Sequence, residues 1–372
     1  MDDRTRSMVA VAGTIGLFLC VQLGALALLD PYVAADAQPV DDPSNASNVA
    51  YFFGVILVAT AGMLAAIKFG LERLIRGFVL LSCGWISWIV LDTILASLGA
   101  DSVGTGTAST AIEALAFIVP FAVAATLVVA LFVHPEWYVI DVAGVLLGAG
   151  AAGLFGLAFT PQLTIVFLVL LAVYDAISVY GTEHMLTLAE GVSDLNVPVM
   201  LVVPTTGSFS LLTDTGPSSL DGDETATGES ATESTGAEPA ETTVEAPQGG
   251  DGPGVEQAAS EDDYPAANDG GGRNAIYIGL GDAVMPTILV VSAAYFLRDS
   301  APLYDVPILA INLPALTALL GTLVGLGALL AMVLKGRPHA GLPMLNGGAI
   351  AGYLIGALAS GIGVVEALGL PL

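Results

Sequence analysis

The sequence predicts an all-α polytopic membrane protein of nine transmembrane helices. Three observations predict it. Hydrophobic residues make up 55% of the chain and charged ones only 12%. Mean hydropathy is +0.81, more apolar sequence than a soluble domain of this length can bury. The apolar residues also fall into nine runs of the length a bilayer demands, about 20 residues each. These runs are 8–29, 49–69, 77–98, 110–133, 141–159, 161–181, 275–297, 304–334 and 341–363.

Each run has its own justification. The first is too long and too apolar at its far end for a cleaved signal, and it lacks a small-x-small site. The second and third are divided by a short loop bearing Lys68, Arg73 and Arg76. Asp92 and Glu113 lie toward the outer ends of the third and fourth, where a carboxylate reaches the headgroups, so both read as boundary residues. Trp85, Trp88 and Trp137 read as packing or interface residues. The fifth run contains "GVLLGAGAAGLFG", Gly144 to Gly156, a face of small residues for helix packing. The sixth contains "LAVYDAISVYG" and the seventh opens on "IGLGDAVMP". In the eighth, Gly321, Gly325 and Gly327 are expected to let helices approach. The ninth opens on "GLPMLNGGAIAGYLIG".

The nine Lys and Arg residues set the orientation. With the N-terminus in the cytoplasm, Arg4, Arg6, Lys68, Arg73, Arg76, Arg273, Lys335 and Arg337 all fall inside, and only Arg298 falls outside. The reverse orientation breaks the positive-inside rule almost everywhere. The C-terminus is then extracytoplasmic, and the long loop at 183–274 is cytoplasmic. Residues 205–272 contain no Lys or Arg and few large apolar side chains. Such a stretch cannot bury enough surface to offset the entropy of ordering, so it is expected to be disordered. It divides helices 1–6 (1–182) from helices 7–9 (275–372).

Composition narrows the function. A net charge of −26 excludes a nucleic-acid binder. Acidic excess with few lysines fits a salt-loaded cytoplasm, where screening tolerates self-repulsion, and points to a halophilic archaeon. Cys20 and Cys83 both lie in spans, which argues against a disulfide framework and a thiolate metal site. His134, His184 and His339 are scattered at predicted boundaries without ligand spacing.

Two acids remain, deep in adjacent spans. The sixth run descends to the cytoplasm and carries Asp175 about six residues before its end. The seventh ascends and carries Asp282 seven residues in. At 1.5 Å per residue, both are expected roughly 9–11 Å from the cytoplasmic end of their helix. Two carboxylates sharing a site cannot both ionise cheaply, so one proton is held between them. One is then a base that deprotonates water, and the other an acid that protonates a carbonyl oxygen. Gly279 and Gly281 remove side chains where a substrate backbone would approach, and Tyr174 is placed to line the same cleft. The same pair would also suit a proton- or cation-coupled transporter.

Together these motifs resemble the presenilin and signal peptide peptidase family, the GxGD intramembrane aspartyl proteases, and its archaeal presenilin homologues best. Tyr174-Asp175 matches the YD motif, and Gly279-Leu280-Gly281-Asp282 matches GxGD. The nine spans and the long loop between helices 6 and 7 match the family's plan. The resemblance implies aspartic endopeptidase activity within the membrane, with no metal or organic cofactor. The implied substrates are single-span membrane proteins or signal-peptide remnants; self-association is left open. The family's third motif, PAL, occurs literally at Pro314-Ala315-Leu316, at a depth away from the aspartates. Pro343-Met344-Leu345 departs by one letter but opens the ninth span at the right depth, so the substrate-side role is assigned there. The run "VPVMLVVP" after the sixth span, or "RNAIYIG" before the seventh, would hold an unwound substrate by strand addition. Deleting Val199 to Val203 is expected to abolish cleavage and spare the fold. The rival enzyme is a prepilin-type GxGD peptidase, whose span plan is shorter. The transporter rival should show inverted repeats, and the sequence shows no convincing one.

Overall fold

A computed structural model describes residues 3–99, 107–178, 200–205, 209–211, 275–306, 309–333 and 341–369. The disorder expected over 205–272 falls almost wholly outside them. The chain runs through α1 (Asp3–Ala27), α2 (Leu29–Ala34), α3 (Ser47–Lys68), α4 (Glu72–Gly99), α5 (Thr107–Val133), α6 (Trp137–Ala158) and α7 (Pro161–Ile177). After strands β1 (Met200–Pro204) and β2 (Ala275–Gly279) comes α8 (Leu280–Phe296). A second hairpin, β3 (Leu303–Val306) and β4 (Leu309–Asn312), precedes α9 (Leu313–Val333), α10 (Gly341–Ala359) and α11 (Val364–Ala367).

Among the described residues, six stretches are long and apolar enough to cross a bilayer: Met8–Ala34, Ser47–Lys68, Arg73–Ala96, Trp137–Ala158, Leu313–Met332 and Gly341–Ala359. Three shorter apolar helices accompany them, Ile118–Val133, Pro161–Ile177 and Leu280–Phe296. The last two carry the aspartates. At 17 residues each they are about 26 Å long, short of a hydrocarbon core of about 30 Å.

Two predicted spans begin later than expected. The run from 275 opens as a strand, because β-prone Ala275–Gly279 pairs antiparallel with Met200–Pro204, with Val202 opposite Tyr277. The run from 304 opens as the β3–β4 hairpin. There α9 begins only after Asn312, whose side-chain oxygen accepts the Ala315 N–H at 3.0 Å and caps the helix. Buried Asn312 also donates to the Ala293 carbonyl at 2.7 Å, tying α9 to α8. Asn312→Ala is expected to cost about 1–3 kcal/mol, since it strips a cap and leaves a buried carbonyl short of a donor. The check is a lowered thermal unfolding midpoint.

The centre of the fold is α8. Ile288, Leu289, Val290 and Val291 are at most 1% exposed. It packs against α1, α6, α7, α9 and α10. Small residues make this crowding feasible: a β-carbon at Gly156 of α6 would overlap Val291. By contrast α3 has Val49 as its buried residue, and Val58, Phe78, Leu81 and Phe132 on α3–α5 are exposed as lipid-facing side chains are. Gly321 and Gly325 sit against the backbone of α10, whereas a β-carbon at Gly327 would meet nothing within 4 Å. The packing role expected of Gly327 is therefore not borne out; its face of α9 is open.

Candidate active site

The aspartates lie nearer their helix ends than the span boundaries implied. Because β2 takes the first five residues of the seventh run, Asp282 is the third residue of α8. Asp175 stands in the last turn of α7. A carboxylate in the first turn of a helix meets the positive end of its dipole. Asp175 is 5% exposed and Asp282 is partly buried.

A third element touches both. The Leu342 N–H, in the first turn of α10, donates to Asp175 Oδ2 at 3.2 Å. A β-carbon at the neighbouring Gly341 would lie 3.1 Å from Asp282 Oδ2. Thus α10 begins between the two carboxylates, and one first-turn N–H, that of Leu342, points at negative charge. Glycine at 341 keeps that approach open. Sequence reasoning placed the ninth span here but missed these two residues. The signal was in the helix start itself, since its first N–H groups have no intrahelical partner.

The other predicted site residues are distributed as follows. Leu280 is buried against Gly148 and near Gly144 of α6. Gly279 lies beside the Asp282 carboxylate, where an added β-carbon would come 3.5 Å from Oδ2. Gly281 is exposed, and a β-carbon there would meet nothing within 4 Å. Tyr174 packs edge-on to Phe53 of α3, ring centres 6.2 Å apart, on the side of α7 turned about 100° from Asp175. Pro343 occupies the first turn of α10, where no N–H is required. With Leu168, Ala172, Ala176, Asn346 and Ile350 it lines an open apolar groove of about 300 Å³ between α7 and α10. Buried Asn346 ties those helices by donating to the Leu168 carbonyl at 3.1 Å. Leu345 is wholly buried, and Met344 is half-exposed with its carbonyl against Gly325.

The literal Pro314-Ala315-Leu316 opens α9 at the other end of α10, with Pro314 against Gly356. Gly356 is fifteen residues past Gly341, roughly 22 Å along the helix.

The two strand-addition segments pair with each other. Leu201, Val202 and Val203 are between 1% and 6% exposed. Leu201 packs near Gly144 of α6, and Val203 near Gly13 of α1. A deletion of 199–203 would remove core packing as well as a strand, so the fold would not be spared. Sequence reasoning also missed two acids at the start of α6, Asp141 within it and Glu136 just before it. Asp141 accepts the Val202 N–H at 2.7 Å. Glu136 accepts the Ser210 hydroxyl at 2.5 Å and the Leu211 N–H at 3.2 Å. The available signal was a lone acid within a turn and a half of the start of an apolar helix.

Comparison with known proteins identifies the family. The chain matches the signal-peptide peptidase, presenilin aspartyl protease family over residues 15–362. Two solved structures, each of a presenilin family intramembrane aspartate protease, are 31% identical to it. The one in space group C222 has a TM-score of 0.57, covering 94% of this chain and 99% of that one. The one in P2 has a TM-score of 0.54, covering 93% and 97%. No curated protein matches the chain. With Asp175 and Asp282 both beside the start of α10 and the family match running nearly end to end, the chain belongs to the presenilin and signal-peptide peptidase family and is an intramembrane aspartyl protease.

Proposed function

We propose that Asp175 and Asp282 are the acid and base of this protease. The single observation that carries the reading is the start of α10, where the Leu342 N–H donates to Asp175 and Gly341 leaves room beside Asp282. One carboxylate takes a proton from water as it attacks the scissile carbonyl, and the other protonates the carbonyl oxygen. Open space beside Gly281 admits the substrate backbone, and Pro343 lines its approach along the groove between α7 and α10. Gly279 and Leu280 shape the turn that presents Asp282, while Met344 and Leu345 hold the substrate-side helix start. Tyr174 acts from the α3 side of α7.

The substrates are single-span membrane proteins or signal-peptide remnants, cut toward the cytoplasmic face. Nine spans, with a cytoplasmic N-terminus, an extracytoplasmic C-terminus and an acidic cytoplasmic loop, fit the distribution of the nine basic residues. The acidic composition fits a halophilic archaeal source.

The test is reconstitution in proteoliposomes with a single-span reporter, assayed for fragments and for ion flux. Wild type is expected to release fragments cut within the span, near its cytoplasmic end, and to move no ions. Ion flux without fragments would establish the transporter. Fragments that persist with either aspartate changed to alanine would remove the pair from the mechanism.

A further inference from the structure

We infer that Asp141 is a positioning residue for cleavage: it pins β1 to α6 and so sets where Asp282 stands. The inference rests on the reading of Asp282 as a reacting group.

Asp141 is the fifth residue of α6, an otherwise apolar helix start. It is 8% exposed. A carboxylate there is costly without a hydrogen-bond donor, and the donor it has is the main-chain N–H of Val202, at 2.7 Å. Val202 stands opposite Tyr277 in the β1–β2 register. In an antiparallel pair, successive residues point their N–H groups alternately toward and away from the partner. The Val202 N–H points away from β2, onto α6. From β2 the chain enters Leu280, Gly281 and Asp282 without a break.

The same face of α6 seats the rest of this path. Residues 141, 144 and 148 stack at helical spacing. A β-carbon at Gly144 would lie 3.0 Å from Leu201, and one at Gly148 would lie 3.0 Å from Leu280 and 3.3 Å from Val284. The glycines offer close but non-directional contact. The Asp141 bond is directional, so it is the contact that selects one register of β1 along α6. A one-residue slip would turn Leu201 and Val203 away from their packing and carry Asp282 with β2. The same bond occupies an outward N–H of β1, which closes that edge to an incoming strand at Val202. Glu136 extends the clamp by holding Ser210 and Leu211.

The test compares wild type, Asp141→Leu, Asp141→Asn, Val202→Pro and Asp282→Asn in lipid with one single-span reporter. Asparagine keeps an acceptor oxygen and leucine does not. Asp141→Leu is expected to lower kcat at least about 10-fold, since misplacing a reacting group by about 1 Å can cost about 100-fold. KM is expected to stay near wild type, because the groove of α7 and α10 is untouched. Asp141→Asn is expected to recover most of kcat. Amide hydrogen exchange over 200–204 should accelerate in Asp141→Leu and not in Asp141→Asn. If Asp141→Leu does not fold, Val202→Pro carries the test, because it removes the same bond from the other side. Wild-type kcat in Asp141→Leu, or equal loss in the leucine and asparagine variants, would overturn the inference. Cleavage surviving in Asp282→Asn would instead overturn the reading of the pair, and the exchange measurement would still report whether Asp141 holds β1.

Discussion

Asp282→Asn is expected to lower reporter cleavage at least about 10³-fold, because general acid–base groups supply about 10²–10⁴-fold each and this pair shares one proton. Asp175→Asn should do the same. Asparagine is the informative change. It fills the same volume, and at position 175 its oxygen still accepts the Leu342 N–H, so the start of α10 stays seated. Removing a buried charge without a cavity leaves the unfolding midpoint within a few degrees of wild type, or above it. The wild-type rate should trace a bell against pH. At low pH both carboxyls are protonated and no base remains; at high pH both are ionised and no acid remains. The measurement is fragment release over a pH series for wild type, with each asparagine variant assayed at the optimum. More than a tenth of wild-type rate in either variant would rule out a two-aspartate mechanism.

Several features of this site were readable in the sequence. An acid in an apolar run is costly, so Asp175 and Asp282 stood out, and the motif order around them pointed to the family. Depth along the ninth span also separated Pro343 from the literal PAL. What was not readable came from tertiary contact. Hydropathy reports apolar content and not backbone form, so the seventh and eighth spans are expected to start at 275 and 304, although Ala275–Gly279, also read as a strand-addition segment, and Leu309–Asn312 are strands. The strand state of Ala275–Gly279 comes from pairing with Met200–Pro204, some seventy residues earlier in the chain. Asp141 was hidden for a related reason. Close to a span boundary, an acid reads as headgroup-facing, and only the fold shows that β1 lies over it. Gly341 and Leu342 contribute a space and a main-chain N–H, neither of which depends on a distinctive side chain.

Gly352→Leu is expected to give the largest loss of stability, and cleavage should fall with it. The helices α9 and α10 touch backbone to backbone along four levels, the first where Gly325 meets the Met344 carbonyl. Gly321 meets Gly348, Gly352 meets the Thr317 carbonyl, and Gly356 meets Pro314 and Thr317. A β-carbon at Gly352 would overlap the Thr317 oxygen and lie 2.8 Å from its carbonyl carbon. Backbone cannot step aside as a side-chain tip can. The loss should therefore exceed the roughly 1–3 kcal/mol typical of overpacking in a core that yields. In lipid there is little hydrophobic drive to bring two apolar helices together, so close packing of this kind holds them. The consequence reaches the aspartates because α10 is one rigid rod. Leu prying at Gly352 shifts the helix against α9 and displaces Gly341 and Leu342 from the carboxylates at its start. Gly327→Ala is the control on the same helix pair. Nothing lies within 4 Å of its would-be β-carbon, and alanine is favoured over glycine in a helix by about 1 kcal/mol. It should match or exceed wild type in both unfolding midpoint and cleavage. A Gly352→Leu protein as stable as wild type would mean that α9 and α10 do not meet through these glycines.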